Sequence, residues 1–132
     1  MNVPCYCTSL RNAARRLTAA YDAALAPVGV GAAQFALLRG VDSSEAVGLS
    51  ELGENLDLDR STVGRNVRVL EKIGLIQTGA GADQRGTYVT LTAAGRQVLK
   101  KGAPLWEKAQ SEFEARIGLE QAQGLRNALH TV

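Results

Sequence analysis

The chain is poor in the residues from which most enzyme active sites are built. Its single histidine is His130, two residues from the last position. No Ser/His/Asp arrangement can be argued from it. Two cysteines, Cys5 and Cys7, are too few for a disulfide framework. Aromatic residues make up 5%. No run of about 18 apolar residues occurs, so no membrane-spanning helix and no membrane partner are expected. The N-terminus shows no basic segment followed by an apolar core, so no secretory leader is expected and a cytoplasmic protein is the default. The glycine-rich stretch 79–86 lacks the strand, loop, lysine, helix order of a phosphate loop. No cofactor is expected. A thiol peroxidase acting through Cys5 and Cys7 is the one enzyme reading left.

What the chain does have is an ordinary core and an uneven charge. At 132 residues with 45% hydrophobic content it is long enough for one domain and short for two. The net charge of +2 hides a strong asymmetry. Residues 1–59 carry four basic against seven acidic side chains, residues 60–96 six against two, and residues 97–132 five against four. The positive field is concentrated in the middle segment, which favours a polyanionic partner.

The order of elements along that segment is distinctive. A first helix is expected over 8–25, with Leu10, Ala14, Leu17, Tyr21 and Ala24 spaced four, three, four, three as a heptad-like seam. Pro27 and Gly29 end it. A second helix over 32–41 buries Phe35, Leu37, Leu38 and Val41. Ser50 is read as the N-cap of a short third helix that ends near Leu56. After the turn Asp57-Leu58-Asp59, Asp59 or Ser61 caps a basic helix running to Ile73 and stopped by Gly74. Strands are expected at 75–78 and 87–91, joined by the glycine-rich loop. Thr92 caps a long helix to about Arg116, which Pro104 should kink or interrupt. A last helix carries Leu119, Ala122, Leu125 and Leu129 on one side. The fold class is mostly α with a small β wing, a winged helix-turn-helix.

The basic helix divides into two faces. Val63, Val67 and Leu70 point inward, while Ser61, Arg65, Arg68 and Lys72 form the opposite stripe with Thr62 and Asn66 beside it. These are major-groove reading groups: arginine donates a fork to guanine O6 and N7, and asparagine pairs with adenine N6 and N7. Ser and Thr hydroxyls and the helix N-terminus suit phosphates. The bland alternative is a solvated amphipathic helix. The short helix before it favours DNA, since the first helix of such a pair braces the second across the backbone. Ser50 on that first helix joins the candidate set. Arg85 in the glycine-rich loop can reach a minor groove. Asp83 is either a turn former or a salt-bridge partner that orients an arginine. Gly64 weakens the helix by about 1 kcal/mol relative to Ala, which suggests that a neighbouring backbone or the DNA comes close.

The chain resembles the MarR family of bacterial transcription regulators. The resemblance is carried by Leu25-Ala26-Pro27-Val28-Gly29-Val30 with Ala33-Gln34-Phe35-Ala36-Leu37-Leu38, by Leu49-Ser50-Glu51-Leu52-Gly53 with Leu58-Asp59-Arg60-Ser61-Thr62-Val63, and by Leu70-Glu71-Lys72-Ile73-Gly74-Leu75-Ile76. Its most specific piece is Asp83-Gln84-Arg85 leading into Val89-Thr90-Leu91-Thr92-Ala93-Ala94-Gly95. It covers nearly the whole chain and is weakest after about Lys101. Gly64 departs from it, since the family more often carries a larger residue there. The resemblance implies a single domain over 1–132, with dimerisation helices at 1–31 and 96–132 and a DNA-binding lobe at 32–95. It implies a homodimer, a repressor, on a pseudo-palindromic double-stranded operator. Each protomer would turn Ser61, Thr62, Arg65 and Asn66 to the major groove and Arg85 to the minor groove. A small-molecule effector or an oxidant would release it. The reading from another class is a winged helix used as a protein-interaction module.

Cys5 and Cys7 leave three readings open. They are small apolar residues buried in a dimer interface, or redox-sensing thiols whose pKa the helix N-terminus lowers, or metal ligands together with His130. No C-terminal cysteine exists to resolve a disulfide.

Overall fold

The computed structural model describes residues 3–42, 46–81 and 86–132. Helix α1 spans Tyr6–Leu25 and runs through a short 3-10 turn, Ala26–Val28, towards α2, Ala32–Val41. Strand β1, Val47–Gly48, leads directly into α3, Leu49–Asn55, and the tight turn 56–59 leads into α4, Arg60–Lys72. Strands β2, Ile76–Ala80, and β3, Thr87–Leu91, follow, then α5, Ala93–Ile117, and α6, Leu119–Leu129. The sheet is antiparallel in the order β1-β3-β2.

The apolar periodicity of α2 and α4 accounts for the core. Phe35, Leu37, Leu38 and Val41 from α2 meet Val63, Val67 and Leu70 from α4, with Leu52, Ile76 and Val89 closing the sides. Gly95 is required where α5 crosses the start of the wing: a Cβ there would lie 2.1 Å from the Leu75 carbonyl oxygen. Thr92 caps α5 by accepting from the Gly95 amide at 3.0 Å, and its hydroxyl donates to the Gly74 carbonyl at 2.7 Å. One residue thus ends the sheet, starts the helix and pins the turn after α4.

Two side chains complete the start of α2, one from α1 and one from α2 itself. Asp22 of α1 accepts from the Ala32 amide at 2.7 Å, and Gln34 accepts from the Gly31 amide at 3.0 Å. They complete the N-terminus of α2, whose N-cap Gly31 has no side chain to do so. On the far side of α2, the Arg39 guanidinium lies 4.0 Å from the centre of the Trp106 ring on α5.

Three expectations need correction, and one element was missed. The N-cap of α3 is Gly48, because the helix starts straight out of β1; Ser50 lies inside the first turn. Strand β1 was not foreseen. Pro104 does not interrupt α5. Pro104 and Lys100 are both exposed, so water can take the carbonyl that the missing amide frees. Gly64 has no heavy atom within 4 Å of an added Cβ, so no neighbouring backbone explains it.

Candidate nucleic-acid interface

Helix α4 begins at a carboxylate. Asp59 Oδ1 accepts from the Thr62 amide at 2.8 Å and from the Ser61 hydroxyl at 3.3 Å. The Thr62 side chain and amide hold the Asp59 carboxyl below its usual range, with smaller help from Ser61 and the charge of Arg65. This bears on the phosphate site expected at this helix N-terminus. The Thr62 amide already has an anionic partner, and a phosphate would meet the Asp59 charge. Ser61 still offers its hydroxyl oxygen.

The turn before α4 is tightly specified. Asp57 adopts a left-handed conformation with φ 54°, which aspartate tolerates better than most residues. The Leu58 amide donates to the Gly53 carbonyl at 2.9 Å. A Cβ on Gly53 would lie 3.3 Å from the Leu58 carbonyl oxygen and 3.4 Å from a Val63 methyl, so a side chain there would crowd the turn between α3 and α4.

The two faces of α4 stand as the periodicity predicts. Val63, Val67 and Leu70 are buried, and Ser61, Arg65, Arg68 and Lys72 are exposed. Thr62 and Asn66 are half-buried on the flank, and Ser50 on α3 is exposed. A cationic outer stripe thus stands over an apolar inner one. The sequence reading left Val69 and Ile73 unassigned; both are exposed on the flank that carries Thr62 and Asn66.

On the opposite flank, Glu71 reaches the wing. Its Oε2 accepts from the Thr78 amide at 2.9 Å and from the Thr78 hydroxyl at 2.7 Å. The Thr78 hydroxyl and amide lower the Glu71 pKa in that order. This strap ties the reading helix to β2. Sequence reasoning missed it, although an acid on the wing-facing flank was a usable signal. The β2–β3 pairing extends to Ala80 opposite Thr87, so residues 81–86 connect the strands. Asp83 and Arg85 lie outside the described residues.

Cys5 and Cys7 are both free thiols and both exposed in the single chain. Cys5 is the N-cap of α1. The Thr8 amide, then its hydroxyl and the Cys7 amide, lower the Cys5 pKa. His130 ends α6, where its Nδ1 lies 2.7 Å from the Arg126 carbonyl. No group of three metal-ligating side chains that could hold an ion occurs among the described residues, so one chain does not bring these three together. No single helix among them is long and apolar enough to cross a membrane.

A short helix, a tight turn, a helix with a cationic outer face and a β-hairpin define a winged helix-turn-helix protein. The comparisons with known proteins agree. The MarR family model matches residues 31–80. The M. tuberculosis transcriptional regulator MosR, in a crystal structure of its complex with DNA, is 37% identical; the match covers 97% of this chain and 98% of that one, with a TM-score of 0.80. The HTH-type transcriptional repressor Rv2887 of Mycobacterium tuberculosis is 27% identical over 109 residues, 82% of this chain and 78% of that protein. The transcriptional repressor CouR, bound to a 23-mer DNA duplex, shares the fold at a TM-score of 0.85 with 22% identity, over 96% of this chain and 91% of that one. The chain belongs to the MarR family of transcriptional regulators.

Proposed function

We propose that this chain is a DNA-binding transcriptional repressor that grips a pseudo-palindromic operator as a homodimer. The observation that carries the reading is the outer face of α4, where Ser61, Arg65, Arg68 and Lys72 all stand exposed over a buried apolar stripe. Arg65 and Asn66 meet base edges, Ser61 and Thr62 lie at the groove entrance, and Ser50 and Arg68 take phosphates. Arg85, between the paired strands of the wing, enters the minor groove, and Asp83 orients it. MosR, crystallised in complex with DNA, supports this use of the fold.

Duplication of the reading head falls to the flanking segments, 1–31 and 96–132. Leu10, Leu119, Leu125 and Leu129 are exposed in the single chain, and a second copy covers them. Release comes from a small-molecule effector or from oxidation at Cys5 and Cys7. In the oxidative route the Cys5 thiolate attacks the terminal oxygen of a hydroperoxide. This gives a sulfenic acid and the corresponding alcohol or water, and a cysteine of the second protomer then displaces hydroxide to form a disulfide.

Selection of bound sequences from a random DNA pool tests the central reading, since a dimer recovers two inverted half-sites about one helical turn apart. Arg65→Ala should then cost about 1–3 kcal/mol at one base position. Wild-type-like binding by both Arg65→Ala and Arg85→Ala, at fixed salt, would refute the assignment. For the redox branch, mass spectrometry after mild peroxide should find Cys5 as sulfenate or in an interchain disulfide, with DNA affinity reduced. Unmodified thiols and unchanged affinity would leave only the small-molecule route.

A further inference from the structure

The outer face of α4 is not wholly polar. Val69 is 49% exposed and Ile73 51%, in a helix whose other large aliphatic side chains are buried. Thr62, Asn66, Val69 and Ile73 succeed one another at spacings of four, three and four, so they form one stripe along the helix. That stripe adjoins Arg65 and lies away from the flank where Glu71 holds Thr78. Val69 leaves about half of its surface open, and no hydrogen bond can be made by its side chain.

We propose that Val69 is a specificity-determining residue that reads the 5-methyl group of a thymine in the major groove. The proposal rests on the DNA-binding reading above. The thymine methyl is the one apolar feature that the major-groove edges of the bases present. An exposed valine beside Arg65 and Asn66 matches it, and a cytosine at the same place would leave its amino group facing a side chain that cannot accept from it. Val69 lies one turn beyond Arg65, about 6 Å along the helix axis at 1.5 Å per residue. The thymine therefore falls within about two base-pair steps of the base that Arg65 meets. Ile73 is the C-cap residue of α4, another turn from the end of the helix that enters the groove, and it takes no base.

The experiment uses the operator recovered by selection. Each thymine of a half-site is replaced in turn by deoxyuridine, which removes one methyl group and nothing else. Dissociation constants are measured at one salt concentration for the wild type and for Val69→Ala. One position should weaken wild-type binding about fourfold, the factor that corresponds to burying one methyl group, and should leave Val69→Ala unaffected. Val69→Thr keeps one methyl and should retain part of the preference. Thermal melting by circular dichroism should match the wild type for both variants, since the side chain is exposed. The proposal is overturned if no uridine position matters, or if the same position matters equally for wild type and Val69→Ala. Failure of the selection to enrich any DNA would overturn the DNA-binding reading itself, and this shows before any uridine is introduced.

Discussion

In the lobe 32–95, Phe35, Leu37, Leu38, Val41, Leu52, Val63, Val67 and Leu70 are all 3% exposed or less, whereas Leu10, Leu119, Leu125 and Leu129 in the flanking helices stand between 36% and 60% exposed. Both regions carry apolar residues at helical spacing. The lobe closes its stripes against one another within a single chain. Helix α1 packs on α5 and, at its end, on α2, and α6 packs on α5, while Leu10 of α1 and the leucines of α6 face outward. The difference teaches which part is self-sufficient. The lobe core is complete in one chain, while the outward leucines of α1 and α6 have no cover within it.

The largest effects should separate these regions. Phe35→Ala opens a cavity where the ring meets α5, against Gly102. It should lower stability by about 3–5 kcal/mol, read as a shift in the urea midpoint. A loss under 1 kcal/mol would mean that the lobe core is not the rigid half. Leu125→Glu with Leu129→Glu places charges on the open face of α6. Each leucine forfeits on the order of 0.5–1.5 kcal/mol, since only 36% of Leu125 and 48% of Leu129 remain for a second copy to cover. Sedimentation should show a monomer with its helical circular dichroism retained. A persistent dimer would place the pairing surface elsewhere.

Much of the lobe was legible because a period of 3.6 residues is a local signal. It marked the buried residues of α2 and α4, and β-branched residues marked β3 at its observed bounds, Thr87–Leu91. Several of the failures share one physical cause, which is partners far along the chain. Strand β1 has only Val47 and Gly48, and it exists by pairing with Val89 and Tyr88. Ser50 looked like a cap because the chain direction imposed by that pairing is invisible locally. The cap on α2 comes from Asp22, ten residues earlier. The seam read in α1 holds for Leu17, Tyr21 and Ala24, which are half-buried, and its Leu10 and Ala14 are exposed. Tyr21 donates its hydroxyl proton to Gln110 on α5, a bond that no helical wheel could anticipate. In the candidate interface, the division of α4 into two faces was readable. So was the cap at Asp59, which takes the Thr62 amide, whereas the Glu71–Thr78 strap showed only as an acid on the wing-facing flank, since it depends on where a side chain turns.

A smaller effect probes α4 from its open side. Gly64 meets nothing within 4 Å, so Gly64→Ala should stabilise the lobe by about 1 kcal/mol through helix propensity alone. With no neighbouring backbone to explain the glycine, close approach of DNA is the remaining account. The same substitution should therefore weaken operator binding while raising the melting temperature. Tighter or unchanged binding would break that account and leave the glycine as a plain weakness in the helix.

The subtlest difference between the two regions is their response to acid. The reading head is strapped by two carboxylates, Asp59 at the start of α4 and Glu71 towards its end, and the hydrogen bonds each accepts lower its pKa. A carboxyl whose folded-state pKa lies below its unfolded value stabilises the fold above the ordinary carboxylate range. That contribution is lost as pH falls through the lowered value. Acid should therefore loosen both ends of α4 in turn, while the apolar faces of α1 and α6 carry no such dependence. Both carboxylates are open to solvent, so the effect is local. It is best read from the amide proton shifts of Thr62 and Thr78, the two backbone donors. Each should titrate with a midpoint below that of an ordinary carboxyl. Glu71→Gln should abolish the titration at Thr78 and leave the one at Thr62 in place. If the Thr78 shift proved independent of pH in the wild type, Glu71 would not be holding the wing to the reading helix. Its bonds to β2 would then be no more than one of several poses of a solvated side chain.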